Sequence, residues 1–143
     1  MEPVRTKHAL SRRSALLLVA TGTVALFGGR LPALAAADAN FTTLTSTQLA
    51  AMLQKKDFFF VNVHTPYEGE IKSTDAFIVF DKIAANLDKL PADKNAKIVL
   101  YCRSGRMSEI AARELASLGY TQVSHLSGGM IDWKKHGYAI VEK

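Results

Sequence analysis

The 143-residue chain has a single cysteine, Cys102, and its neighbours are of types that activate a thiol. Cys102 follows the apolar run Lys97-Ile98-Val99-Leu100-Tyr101 and precedes Arg103-Ser104-Gly105-Arg106-Met107 and a helical pattern. The thiolate is the nucleophilic form, and a thiol's pKa falls beside cations and at a helix N-terminus. Arg103 and Arg106 supply two permanent charges. Gly105 allows the chain to curl so that successive N–H groups turn inward as a nest. A helix that follows adds unpaired first-turn N–H groups and a positive dipole end. On residue type alone a lone cysteine is a small buried hydrophobe. Its place between a buried strand and a doubly basic, glycine-containing loop points instead to a nucleophilic sulfur in a cradle for a small anion.

The other reactive residue types receive milder readings. No Cys/His cluster has metal-ligand spacing, so neither a structural zinc nor a cofactor is expected. His64 reads as a hydrogen-bonded structural residue beside the loop, with donor orientation as the alternative. His125 precedes a turn, and His136 lies beside a helix end, where a cation is favourable. Gly128-Gly129 reads as a turn and not as a phosphate loop. Trp133 reads as core, and Glu68 and Glu70 as rim residues without a catalytic role.

The elements that must position the cysteine are legible from periodicity. Phe58-Phe59-Phe60-Val61-Asn62-Val63-His64 is a near-continuous apolar run, as expected of a strand buried on both faces, and residues 97–101 are a second. Thr45-Ser46-Thr47-Gln48 is a capping-box pattern that opens a helix through Leu49, Met52 and Leu53. Residues 65–75 read as a loop, 77–80 as a short strand, and 83–90 as a short helix stopped by Pro91. A helix over 108–118 places Ala111, Leu115 and Leu118 on one face and ends at Gly119, with Glu109 and Arg113 paired on the other side. Residues 123–126 are a further strand, and a short helix around Trp133 closes at Gly137. Strands alternating with helices imply an α/β domain whose small, mostly parallel sheet is flanked by helices on both faces.

The first 35 residues are of another kind. Arg5, Lys7, Arg12 and Arg13 precede an uncharged stretch, 14–29, and Pro32-Ala33-Leu34-Ala35 follows. This is the order of an export signal peptide, with cleavage after Ala35 or Ala37. The uncharged run is shorter than the ~20 residues of a span and is interrupted by glycines, so no stable membrane span is expected. Ser11-Arg12-Arg13-Ser14 resembles a twin-arginine export motif, without its aromatic and lysine; general secretion fits as well. Residues 36–143 then form one domain, expected to be periplasmic or otherwise exported. The formal net charge of +5 belongs to the leader, which holds 5 of 18 basic and 1 of 13 acidic residues, leaving the domain at +1. No charge-based case for nucleic acid remains.

With these residues in view, a resemblance becomes specific. Tyr101-Cys102-Arg103-Ser104-Gly105-Arg106-Met107-Ser108, with Leu118-Gly119-Tyr120 ending the helix, resembles the active-site segment of a single-domain rhodanese of exported type. Leu126-Ser127-Gly128-Gly129-Met130-Ile131-Asp132-Trp133 is similar to that family's closing element. The upstream half diverges: Asn62 and His64 stand for the usual acid and arginine, and Glu70 and Lys72-Ser73 for the usual histidine and Pro-Gly.

The resemblance implies sulfur transfer from thiosulfate or a related donor through a persulfide on Cys102, to a thiol or cyanide. Residues 103–107 would hold the anion: Arg103 and Arg106 by charge, and Ser104, Gly105 and Met107 through the loop's backbone N–H groups. No cofactor and no metal are implied, and the protein is expected to be a monomer. A non-turnover sulfane-sulfur carrier or binding module is the alternative. A cysteine phosphatase would need an arginine six positions after the cysteine, where this chain has Ser108.

Overall fold

A computed structural model of the chain describes residues 40–142; the expected leader, 1–35, and its cleavage site lie outside them. The two apolar runs form β2 (Phe59–Asn62) and β5 (Lys97–Tyr101), which lie parallel with Phe60 opposite Val99 and Asn62 opposite Tyr101. Alternate side chains of a strand point to opposite faces. Val61, Val63, Ile98, Leu100 and Cys102 therefore enter one core, and Phe58, Phe60, Val99 and Tyr101 the other. This is why neither run alternates with polar residues. Phe60 and Leu100 are fully buried, and burial of each such side chain contributes roughly 1.5–3 kcal/mol.

The remaining strands are β1 (Thr42–Leu44), β4 (Ala76–Phe77) and β6 (Gln122–Leu126). They complete a five-stranded, all-parallel sheet in the order β1-β6-β5-β2-β4. The helix α2 (Arg106–Ser117) covers the first core through Ala111, Ala112 and Leu115. On the other face α1 (Ser46–Leu53) contributes Leu49, and α3 (Gly129–Lys135) contributes Met130 and Trp133. Helices thus cover both faces, as expected. The capping box is present: Thr45 Oγ1 accepts from Gln48 N at 3.2 Å, and Thr45 N donates to Gln48 Oε1 at 2.9 Å.

Several expectations are corrected. The stretch 65–75 is not all loop, because β3 (Glu70–Ile71) lies in it and pairs antiparallel with β7 (Ile140–Val141). The strand expected at 77–80 is reduced to Ala76–Phe77, and the short helix at 83–90 is a 3-10 segment, Ala84–Lys89, broken by a non-helical Asn86. The helix expected to start at Ser108 starts at Arg106. Among the described residues no helix is long and apolar enough to cross a membrane.

Candidate active site

Ligands of open parallel sheets gather at the carboxyl ends of the strands, and Cys102 stands there, one residue past β5. Its side chain is 1% exposed. The chain turns at Gly105, whose φ of +98° starts α2 without a side-chain cap. Gly105 N then donates to Cys102 Sγ at 3.0 Å. The first turn of a helix leaves N–H groups without intrahelical partners, and the Gly105 amide, at the N-cap of α2, is the one that reaches the sulfur. Any side chain at 105 is excluded: an added Cβ would lie 1.8 Å from Ser127 O.

The Gly128-Gly129 turn holds this loop from behind. Met130 N donates to Cys102 O at 2.9 Å and Ile131 N to Arg103 O at 3.0 Å. Gly129 has a φ of +59°, and a Cβ there would meet Arg103 C and O at 2.4 Å. Gly129, against Arg103, and Gly105, against Ser127, therefore let the start of α3 clamp the backbone of the cysteine loop. Trp133 anchors the clamp from the core, donating Nε1–H to Ala139 O at 3.0 Å and packing against Tyr138 at 4.4 Å between centroids with the rings tilted by 37°. The two sequence segments singled out above, 101–108 and 126–133, are one structural unit.

The side chains of the loop separate. Arg103 is largely exposed and its Nε lies 3.5 Å from Glu68 Oε2. Ser104 and Arg106 are also exposed. With Gly105, Glu109, His125 and Ser127 they line a cleft of about 420 Å³ beside the loop. The Met107 side chain packs on the core under α2, which leaves only its backbone facing the loop.

The opposite rim follows β2. Asn62 Nδ2 donates to Gly69 O at 3.0 Å and its Oδ1 accepts from His64 N at 3.0 Å, which fixes the path of residues 62–69. His64 is buried, with Nε2 2.5 Å from Glu68 Oε2, while its Nδ1 has no hydrogen-bond partner among the described residues. Glu68, 45% exposed, thus lies between His64 and Arg103. Glu70, read as a rim residue, is buried in β3 opposite Val141. Nearby, Tyr101 is fully buried and its hydroxyl accepts from Ile71 N at 3.0 Å; burial raises its pKa far above the usual tyrosine range.

Two residues near the sulfur have roles that the sequence did not show. Ser108, in the first turn of α2, has its Oγ 3.7 Å from Cys102 Sγ, 3.0 Å from Gly105 O and 3.1 Å from His125 Nδ1. His125, near the end of β6, is buried beneath Phe41 and its burial pushes the imidazole pKa down, opposed by the charge of Glu109. Seventeen residues separate the two in sequence, and the packing of α2 against β6 joins them. Among the described residues no group of His, Cys, Asp and Glu could hold a metal ion.

The architecture is shared with solved proteins. A rhodanese-like domain protein from Staphylococcus aureus superimposes with a TM-score of 0.59 at 27% identity, over 71% of this chain and 99% of that one. The family model of the rhodanese-like domain matches residues 45–136, and the chain belongs to that family. A protein of Allochromatium vinosum named "Sulfurtransferase" is 35% identical over 88 residues, 60% of this chain and 80% of that protein. A "tRNA uridine(34) hydroxylase" of Erwinia tasmaniensis is 31% identical over 98 residues, 64% of this chain; the match spans only 28% of that longer protein.

Proposed function

We propose that the protein is a sulfurtransferase that moves a sulfane sulfur from thiosulfate, or a related donor such as a polysulfide, to a thiol or cyanide through a persulfide on Cys102. One observation carries the reading. The only thiol of the chain is recessed at a strand end, accepts the Gly105 N–H at 3.0 Å and lies under the first turn of α2. That surrounding favours a negative charge on sulfur before and after transfer. Similarity to the sulfurtransferase of Allochromatium vinosum supports it.

In the first step the Cys102 thiolate attacks the outer sulfur of thiosulfate. The S–S bond of the donor breaks, sulfite leaves with the electron pair, and the persulfide keeps one negative charge. In the second step the acceptor attacks the terminal sulfur; cyanide leaves as thiocyanate and the thiolate is restored. This is covalent catalysis in two half-reactions, with ping-pong kinetics. Arg103 and Arg106 draw the dianionic donor toward the loop. Action outside the cytoplasm, after removal of residues 1–35, belongs to the same proposal.

Incubation with thiosulfate is expected to add one sulfur atom to Cys102, read by intact mass, and Cys102→Ser to abolish both the adduct and thiocyanate production. A wild-type chain that stays unmodified with both thiosulfate and polysulfide overturns the proposal. Loading without steady-state thiocyanate release would identify a carrier in place of a turnover enzyme.

A further inference from the structure

Ser108 has one hydroxyl hydrogen and three polar neighbours. Gly105 O, at 3.0 Å, only accepts; His125 Nδ1, at 3.1 Å, accepts or donates according to its tautomer; Cys102 Sγ lies at 3.7 Å. We propose that His125 is a positioning residue for the sulfur: its Nδ1–H donates to Ser108 Oγ, and this directs the Ser108 hydroxyl hydrogen toward the anionic Cys102 Sγ.

The argument is a count of donors. An unprotonated Nδ1 would compete with Gly105 O and with the sulfur for the single hydrogen. A protonated Nδ1 fills a lone pair of Ser108 Oγ instead. The hydroxyl hydrogen is then shared only between a neutral carbonyl and the sulfur, and a full negative charge on sulfur makes the second bond the stronger one. His125 Nε2 becomes an acceptor, with Thr43 Oγ1 3.5 Å away. A chain of polar groups thus runs from β1 through β6 and α2 to the sulfur. Burial favours the neutral imidazole, so His125 carries one ring proton to place and no charge to spread. No proton is transferred; a hydroxyl rotates.

The charged groups around this chain are few. Glu109 acts on His125 from α2, and Arg106 lines the same cleft. From the β1 side come the neutral Phe41 and Thr43. Beyond the sulfur stand Arg103 and Glu68, paired with each other. None is altered by the substitutions below.

The proposal deepens the sulfur-transfer reading by naming how the anion is held, but its test uses no sulfur donor. Cys102 is the only cysteine, so the pH dependence of iodoacetamide alkylation, followed by intact mass, reports one thiol. His125→Ala and Ser108→Ala are each expected to raise the midpoint by about one pH unit, and the double variant to raise it no further. His125→Asn keeps an N–H donor near the Nδ1 position and is expected to keep the wild-type midpoint. His125→Gln fills the site but presents its amide farther out, and is expected to match His125→Ala. An unchanged midpoint in the alanine and glutamine variants, additive shifts in the double variant, or a shift in the asparagine variant overturns the proposal. A wild-type chain that is never loaded by thiosulfate removes the sulfur-transfer reading and leaves this result untouched.

Discussion

The two rims of the sulfur site are made of different material. On the side of α2 and α3 the cysteine is held by packed backbone, a Gly105 N–H on the sulfur and the Met130 and Ile131 amides on the loop carbonyls, with a buried Ser108–His125 side-chain pair behind it. On the side of β2 the rim is made of side-chain charge, with Glu68 between His64 and Arg103 and nearly half exposed to water. Backbone geometry in a packed setting allows almost no substitution. Exposed charge pairs are individually weak and screened by salt. The first rim fixes where the sulfur is; in the proposed reaction the second is the side whose charge a donor meets.

Substitutions on the two rims should therefore fail in different ways. The largest effect is expected for Gly129→Ala, which puts a Cβ within 2.4 Å of the Arg103 backbone at a positive φ. A loss of roughly 2–4 kcal/mol, read by denaturant unfolding, should come with loss of sulfur loading, because the same turn holds the cysteine loop. A fully stable variant with normal loading would show that the clamp is dispensable.

An intermediate effect is expected from acid. Burial holds the His125 pKa below its ordinary value, so the folded chain resists a proton that the unfolded chain accepts. Stability contributed by the neutral imidazole is then present above about pH 6.5, the unfolded value. It falls as the pH drops through that value and levels off below the depressed folded value. His125→Asn should flatten the thermal stability profile between pH 7 and pH 5 relative to wild type. An equally steep profile in the variant would assign the acid sensitivity to other groups.

The smallest effect on stability is expected on the charged rim. Glu68→Gln should change stability by less than about 1 kcal/mol, since the Arg103 contact is exposed and the glutamine amide oxygen can still accept from the buried His64 Nε2. It removes a negative charge that faces an anionic donor, so the rate of Cys102 loading by thiosulfate should rise about twofold to threefold at low salt, and the gain should fade as ionic strength increases. A salt-independent change would mean that Glu68 acts through the loop's shape and not through its charge.

The same division explains what the sequence disclosed. Residues 97–101 read as a strand and form one, because a strand buried on both faces has no polar alternation to confuse. The cysteine loop was legible because its chemistry is local: the cysteine, the glycine and two arginines lie within five residues. The sequence pattern starts α2 two residues late because its cap is Gly105 in a left-handed conformation, which offers no Ser, Thr, Asp or Asn to mark a boundary. Short strands such as β3 and β7 carry too few residues for a period, and their pairing joins residues far apart in the chain, Glu70 to Val141 and Ile71 to Ile140. The Ser108–His125 pair was hidden for the same reason. Histidine before a turn is unremarkable until packing sets β6 against α2.

The burial of Cys102, 1% exposed, would make the two proposed half-reactions unequal in size tolerance. In the proposed loading step a donor would have to reach a recessed sulfur, which favours donors that present an unhindered terminal sulfur, as thiosulfate and polysulfides do. After loading, a disulfide-length bond of about 2 Å carries the terminal sulfur outward toward the rim. A wide acceptor, even the thiol of another protein, then need not enter the loop. Burial of one atom would thus sort small donors from large acceptors without any lid or moving part.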